Sequence, residues 1–323
     1  MMESAALRDA PPRTAERNIG RRRSDRIVGS SRAIQDVIEQ AVAAAASELP
    51  VRIAGPAGSG KEQVARAIHG WSARASGPFV VISCVGIPEA LRGRELFGCA
   101  EAAYPGLPQA YDGGLARAAG GTLLVDHADL LGSDLWQALA KAISDGRFQR
   151  EGDAGAIPLS TRVIAVSRSP LSSAALREIQ HHAIEVPPLA ARPDDILPLA
   201  SHFLVLAAAE SGVEAVGFTA EARAALLAEP WPGNARELAE RIGQALRLAG
   251  SGAISAEALL IAAPPEEIPS FKEAKRAFER RYVIGLLRRC EGNISRAARL
   301  AKKDRKDFYD VIRRTNVDPT EFR

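Results

Sequence analysis

The chain has 323 residues, 46% hydrophobic and 25% charged, with three cysteines and a formal net charge of +3, enough length for two or three domains that each bury a core. No apolar run approaches the roughly 18 to 20 residues of a membrane span, and Cys84, Cys99 and Cys290 are scattered singly. A membrane protein and a disulfide-built secreted module are therefore excluded, and a cytoplasmic location is expected.

Residues 1–26 are polar and Arg-rich, with Pro11 and Pro12 and no apolar periodicity, which predicts a flexible basic arm. Residues 31–46 form an Ala-rich amphipathic pattern expected to be a helix. A short apolar strand is expected at 51–54, a helix at 60–72 and a second strand at 79–83 (FVVIS). Further strands are expected at 121–126 (GTLLVD) and 162–167 (RVIAVS), with a helix at 133–144. Near-continuous apolar strands separated by helices predict an α/β domain, a parallel sheet covered on both faces, over residues 27–190. Three helices follow at 194–211, 219–228 and 234–249 with no strand between them, predicting a small helical lid over 191–262. The proline-rich, acidic stretch AAPPEEIPS reads as a linker, placed at 263–270, and residues 271–323 form a separate all-α segment. That segment carries 16 Lys and Arg against 8 Asp and Glu, so a polyanion partner is expected for it.

Between the first strand and its helix lies GPAGSGKE, residues 55–62. Gly55, Gly58 and Gly60 let the backbone turn and present N–H groups to phosphate oxygens, the helix N-terminus adds positive potential, and Lys61 reaches the outer phosphates. The Ser or Thr that usually follows this lysine and holds Mg²⁺ is replaced by Glu62. A phosphate cradle of this kind needs a carboxylate at a nearby strand end to hold Mg²⁺, and Asp126 supplies it directly after four apolar residues. The next position, where a glutamate usually activates water, holds His127. An imidazole has basic capacity but lacks the carboxylate's charge and reach, so efficient hydrolysis is expected to be lost. The histidines include the pair His181 and His182 but no metal-ligand spacing.

In the basic segment, a helix over 271–289 is expected to bury Phe271, Ala274, Phe278, Tyr282, Ile284, Leu286 and Leu287, and Gly292 and Asn293 break it. Short helices at 294–301 and 305–314 flank a turn at 302–304, predicting a helix-turn-helix whose second helix suits the major groove. Arg305, Lys306, Asp307 and Tyr309 are candidates for contacts to bases or nearby phosphates. Arg296, Lys302, Lys303, Arg313 and Arg314 are candidates for phosphate contacts. Phe308, Val311 and Ile312 are expected in the core.

Seven blocks now carry a resemblance: IVGSS at 27–31, GPAGSGKE at 55–62, ELFG at 95–98, GGTLLVD at 120–126, RVIA at 162–165, IEVPPL at 184–189 and WPGNAREL at 231–238. In this order the chain resembles the AAA+ domain of bacterial enhancer-binding proteins, the activators of sigma-54 RNA polymerase, over about residues 27–262, and residues 271–323 resemble their Fis-type DNA-binding domain. The resemblance implies nucleotide contacts by Val28, Gly58, Gly60, Lys61 and Glu62, Mg²⁺ at Asp126, and a sensor arginine at Arg236, whose alternative is a surface salt bridge. Glu62 is itself usual in that family. Implied cofactors are ATP or ADP with Mg²⁺. Implied partners are double-stranded DNA, RNA polymerase or a sigma factor, and further copies of the chain in a dimer or hexamer.

The departures from the family pattern fall on turnover. The loop GAFTGA is replaced by AAYPGL at 102–107, where Pro105 removes a backbone donor and fixes φ. Ser83 stands for a switch asparagine, Ser167 and Arg168 for a Thr-Asn sensor, and SSAALREIQHHA offers only Arg177, out of register, for two arginine fingers. The expectation is a transcription regulator that binds nucleotide, hydrolyses it weakly at most, and does not remodel sigma-54 polymerase in the conventional way. The alternatives are an active sigma-54-dependent ATPase and an inactive subunit of mixed hexamers.

Overall fold

The computed structural model describes residues 27–101, 103, 109–170, 179–214, 216–250, 252–261, 270–315 and 317–322. Tyr104, Pro105, Gly106 and Arg177, on which two of the departures rest, lie outside the described residues. The chain divides near Leu259 into two compact units.

In the first unit, helix α1 (Arg32–Ala45) starts where the Ser31 hydroxyl accepts from Ile34 N, an N-cap that satisfies one orphan donor of the first turn. It buries Ile34, Val37, Ile38, Ala41 and Ala44 at helical spacing. β1 (Val51–Ala54), α2 (Lys61–Trp71), β2 (Phe79–Ser83), α3 (Glu89–Phe97), α4 (Gly114–Arg117), β3 (Thr122–Asp126) and α5 (Ser133–Asp145) follow. A short antiparallel pair, β4 (Arg147–Gln149) and β5 (Ala156–Pro158), precedes β6 (Arg162–Ser167) and β7 (His182–Glu185). β2, β3, β6, β1 and β7 form a parallel sheet in that order.

The two-residue period of the strands sends neighbouring side chains to opposite layers. Leu124, Ile164 and Val166 pack with Ile34, Val37, Val64 and Ile68 of α1 and α2. Leu123, Val125 and Val163 pack with Leu96, Trp136 and Leu139 of α3 and α5. Each fully buried Leu or Ile contributes about 1.5–3 kcal/mol. β6 lies between β3 and β1 with all six residues buried. Its one charge, Arg162, donates to Ala44 O at 2.6 Å in the last turn of α1 and to Leu49 O at 3.0 Å in the loop before β1.

The lid helices are α6 (Ile196–Ser211), α7 (Ala220–Ala228), α8 (Asn234–Ala249) and α9 (Ala256–Ile261). Among the described residues no helix is long and apolar enough to cross a membrane.

Among the described residues, the second unit has the α-helices α10 (Phe271–Arg289), α11 (Ile294–Leu300) and α12 (Arg305–Thr315). Its core is Val283, Leu287 and Cys290 with Ala297, Ala298, Phe308, Ile312 and Val317; Ile284, Leu286 and Val311 pack against it half-buried. Phe278 and Tyr282, expected inside, are 61% and 47% exposed and stack on each other with centroids 6.2 Å apart. The core is gathered at the C-terminal end of α10, where Val283 and Leu287 stand one turn apart; Leu287 is buried and Ile284 and Leu286 pack against the core as expected, whereas Val283 takes the inward place expected of Tyr282. The side chains of Phe271 and Ala274 lie outside the described ones. Gly292 N donates to Leu287 O at 2.9 Å to close α10, and the Asn293 side chain caps α11 by accepting from Arg296 N.

Candidate functional site

At the ends of the sheet strands, the loop from β1 to α2, the end of β3, the end of β6 and the lid enclose a cleft of about 690 Å³. Gly58 adopts φ +71°, and a Cβ there would sit 2.2 Å from Gly233 O, so the Trp231–Asn234 turn of the lid packs directly on the loop. Gly60 (φ +101°) is the left-handed residue that starts α2. Lys61 Nζ donates to Gly55 O and Pro56 O, each at 2.7 Å, so the ammonium is folded over its own loop. Burial lowers its pKa; Asp126 works against that shift, whereas Arg236 and Arg168 add to it.

Asp126 ends β3, opposite Ser83 of β2. Its Oδ1 accepts from His127 N at 2.9 Å, and His127 Nδ1 lies 2.9 Å from Oδ2 at ion-pair distance, without the alignment of a hydrogen bond. His127 itself takes a left-handed conformation, φ 53°. The imidazole is thus turned onto the neighbouring carboxylate. Glu62 lines the cleft and pairs with Arg66 at 2.6 Å, one turn along α2. Gly58, Gly60, Lys61, Asp126, Arg168 and Arg236 form the polar end of the cleft; Ile27, Val28, Leu199, Phe203 and Leu206 contribute apolar surface. Of the expected contacts, Val28, Gly58, Gly60, Lys61, Glu62, Asp126 and Arg236 all line one cleft, with Gly55 at the root of the loop. Ser167 is buried, its hydroxyl donating to Ser169 O at 2.6 Å.

Three polar residues that hold this site together were not anticipated. Asn234 Nδ2 donates to Ala57 O at 2.8 Å while its Oδ1 accepts from Leu189 N at 2.7 Å, tying the lid to the loop. Buried Arg192 donates to Ser59 O at 2.7 Å; burial lowers its pKa and Asp195 opposes the shift. Asp195, fully buried, accepts from Ser30 N (2.6 Å), Ser31 N (2.8 Å) and Ser31 Oγ (2.7 Å). Asn234 had a local signal in WPGN. Asp195 had none, because its partners are 164 and 165 residues away.

In the second unit, Arg296, Lys302, Lys303, Arg305, Lys306, Asp307, Tyr309 and Arg313 are all exposed on α11, α12 and the turn between them. Lys302 makes that turn at φ 52°. Arg314 is exposed but engaged, its Nη2 reaching both oxygens of Glu279 at 2.7 and 2.8 Å.

A parallel sheet, a glycine loop running into a helix under a lysine, a carboxylate at an adjacent strand end and a helical cover define a P-loop nucleotide-binding domain of the AAA+ class. Two families match: the Sigma-54 interaction domain over residues 27–182 and the AAA+ ATPase lid domain over 190–273. The transcriptional regulatory protein GlrR of Escherichia coli strain K12 is 33% identical over 330 residues, covering 98% of this chain and 73% of that protein. FlbD of Caulobacter vibrioides is 32% identical over 297 residues, covering 83% of this chain and 65% of that protein. A crystal structure of NtrX from Brucella abortus superposes with a TM-score of 0.65 at 27% identity, over 91% of this chain and 70% of that one. NtrX has also been solved in complex with ADP and with ATP, with TM-scores of 0.63 and 0.64, identities of 28% and 27%, 91% of this chain covered in each case, and 70% and 71% of those chains. The chain belongs to the family of transcriptional regulators built on the sigma-54 interaction domain.

Proposed function

We propose that the chain is a DNA-binding transcription regulator whose AAA+ domain binds ATP or ADP and turns it over weakly at most, so that nucleotide governs assembly instead of driving a power stroke. The division is that read from sequence: nucleotide-binding α/β subdomain 27–190, lid 191–262, linker 263–270, and a Fis-type helix-turn-helix over 271–323. The observation that carries the reading is the contrast within the cleft. Gly58, Gly60 and Lys61 line the cleft, while His127, which this reading assigns to the water-activating position, is turned onto Asp126. The NtrX complexes with ADP and ATP support nucleotide as the ligand.

The donor set suits Mg²⁺ in the way such sites hold it, through one carboxylate plus the phosphates themselves. Asp126 is the residue that would hold the ion, which supplies charge neutralisation across the outer phosphates. Among the described residues no group of three acidic, His or Cys side chains forms an all-protein metal site.

Exposed basic residues on α11 and α12 support DNA as the polyanion, with Arg305, Lys306, Asp307 and Tyr309 contacting bases or nearby phosphates and Arg296, Lys302, Lys303 and Arg313 positioning on phosphates. The test is retention of promoter fragments at physiological salt by the full chain and by a chain lacking 271–323. The deletion is expected to reduce specific affinity by about 10³-fold or more; unchanged retention refutes the assignment. A second reading, an active sigma-54-dependent ATPase, is favoured by family membership and by the retained cradle. In either case the protein partner is RNA polymerase or a sigma factor, and the chain self-associates as a dimer or hexamer.

A further inference from the structure

Two carboxylates line the cleft, Glu62 and Asp126. Glu62 is engaged by Arg66 at 2.6 Å. Lys61 Nζ is turned to Gly55 O and Pro56 O, not to a carboxylate. Asp126 instead meets its own neighbour, His127, which contacts the two carboxylate oxygens through different atoms.

The two contacts differ in kind. His127 N donates to Oδ1 at 2.9 Å, a hydrogen bond that fixes the carboxylate. His127 Nδ1 also lies 2.9 Å from Oδ2, yet it is shielded from water and has no hydrogen-bond partner among the described residues. A nitrogen and an oxygen this close, out of line for a shared proton, are spaced like neighbouring ligands of one ion. Two donors about 2.1 Å from a metal and at right angles to each other are about 3.0 Å apart. The left-handed backbone of His127, φ 53°, brings the ring onto the preceding side chain, so that Nδ1 and Oδ2 stand side by side. The His127 and Asp126 side chains are 28% and 26% exposed and both line the cleft, so an ion arriving with nucleotide can reach them.

We propose that His127 is a metal ligand, and that with Asp126 it makes the cleft prefer a nucleotide-bound ion of the nitrogen-accepting class, Co²⁺ or Zn²⁺, to Mg²⁺. This rests on the reading of the cleft as a nucleotide site with its ion at Asp126. Asp126 alone suits Mg²⁺, which is served by carboxylate, phosphate and water oxygens. An imidazole nitrogen beside it suits the later first-row ions, for which the affinity of a mixed nitrogen and oxygen site is higher. Two protein donors leave the remaining positions to phosphate oxygens and water; among the described residues no third acidic, His or Cys side chain joins them.

The experiment measures binding of a fluorescent ADP to the full chain in Mg²⁺ and in Co²⁺, for wild type, His127→Ala and His127→Glu. Any preference of ADP itself for Co²⁺ is common to all three proteins and cancels in the comparison. His127→Ala is expected to lose about 10-fold or more of the preference for Co²⁺ over Mg²⁺, since removing even an outer-shell partner of a metal costs about 10- to 100-fold. His127→Glu replaces nitrogen by oxygen and should move the ratio further toward Mg²⁺. A cooperative thermal unfolding transition shows that each variant is folded. Pulsed EPR of the wild type loaded with Mn²⁺ and ADP identifies the ligand without any variant: the signal should carry the modulation of a directly bound nitrogen. Labelling the protein, and not the ADP, with heavy nitrogen should alter that modulation, which excludes adenine as its source. The same Co²⁺ to Mg²⁺ ratio in all three proteins, or a wild-type spectrum without protein nitrogen, overturns the assignment. If wild type and Lys61→Ala alike bind no ADP with either ion, the nucleotide-binding reading fails and takes this one with it.

Discussion

Lys61→Ala is expected to weaken ATP and ADP binding by at least about 100-fold while leaving the fold in place. Each charge-assisted hydrogen bond to a phosphate is worth about 1.5–3 kcal/mol, and the ammonium that now rests on Gly55 O and Pro56 O has two such partners to exchange for phosphate oxygens. Removing it exposes two loop carbonyls that water satisfies. It also relieves the burial that lowers the pKa of Lys61. Thermal unfolding is therefore expected to move little without nucleotide, and the stabilisation that saturating ATP confers on the wild type should vanish. Titration of both proteins with ATP and ADP checks this; equal affinities contradict the placement of nucleotide in the cleft.

Asp195→Ala is the substitution expected to cost most stability. The carboxylate is fully buried and accepts three hydrogen bonds from Ser30 and Ser31, with Arg192 3.9 Å away. Without it two backbone donors lose their acceptor and the Arg192 guanidinium is left as an unbalanced buried charge, a loss of about 3–5 kcal/mol. At roughly 2–4 °C per kcal/mol for a domain of this size, the melting temperature should fall by about 10 °C. Adding Arg192→Met to Asp195→Ala should cost less than the sum of the two single changes, because the stranded charge is gone. Thermal denaturation of the single and double variants measures this. A fall below about 1 kcal/mol for Asp195→Ala contradicts the network.

What the sequence made legible and what it hid follow from the range of each interaction. β1, β2, β3 and β6 are runs of apolar residues bounded by polar ones, and Gly55 to Lys61 announces its loop through spacing alone. β7 (His182–Glu185) has a single buried residue, Ile184, between Ala183 and Glu185, and β4 and β5 have three residues each, so periodicity has nothing to act on. On α10 the sequence placed Leu287 correctly but Phe278 and Tyr282 wrongly, because helical spacing admits both Phe278–Tyr282 and Val283–Leu287. Only the packing of α11 and α12 decides between them. Within the site, Lys61 and Asp126 were readable from local motifs. Arg192 and Asp195 were not, since they act on a loop and a helix start more than 130 residues distant.

The placement of His127 also limits what reversal can achieve. Its ring and backbone lie against both oxygens of Asp126; on the proposed reading, His127→Glu alone is expected not to restore turnover.

Phosphate release by the full chain at saturating ATP, with promoter DNA present, tests the central claim most directly. The proposed reading, nucleotide binding with weak turnover at most, predicts a rate below about 0.01 per second, since an arginine finger alone contributes about 10³-fold or more in related NTPases. Turnover near about one per second, at the lower end of working phosphoryl-transfer enzymes, that disappears in Lys61→Ala would contradict it.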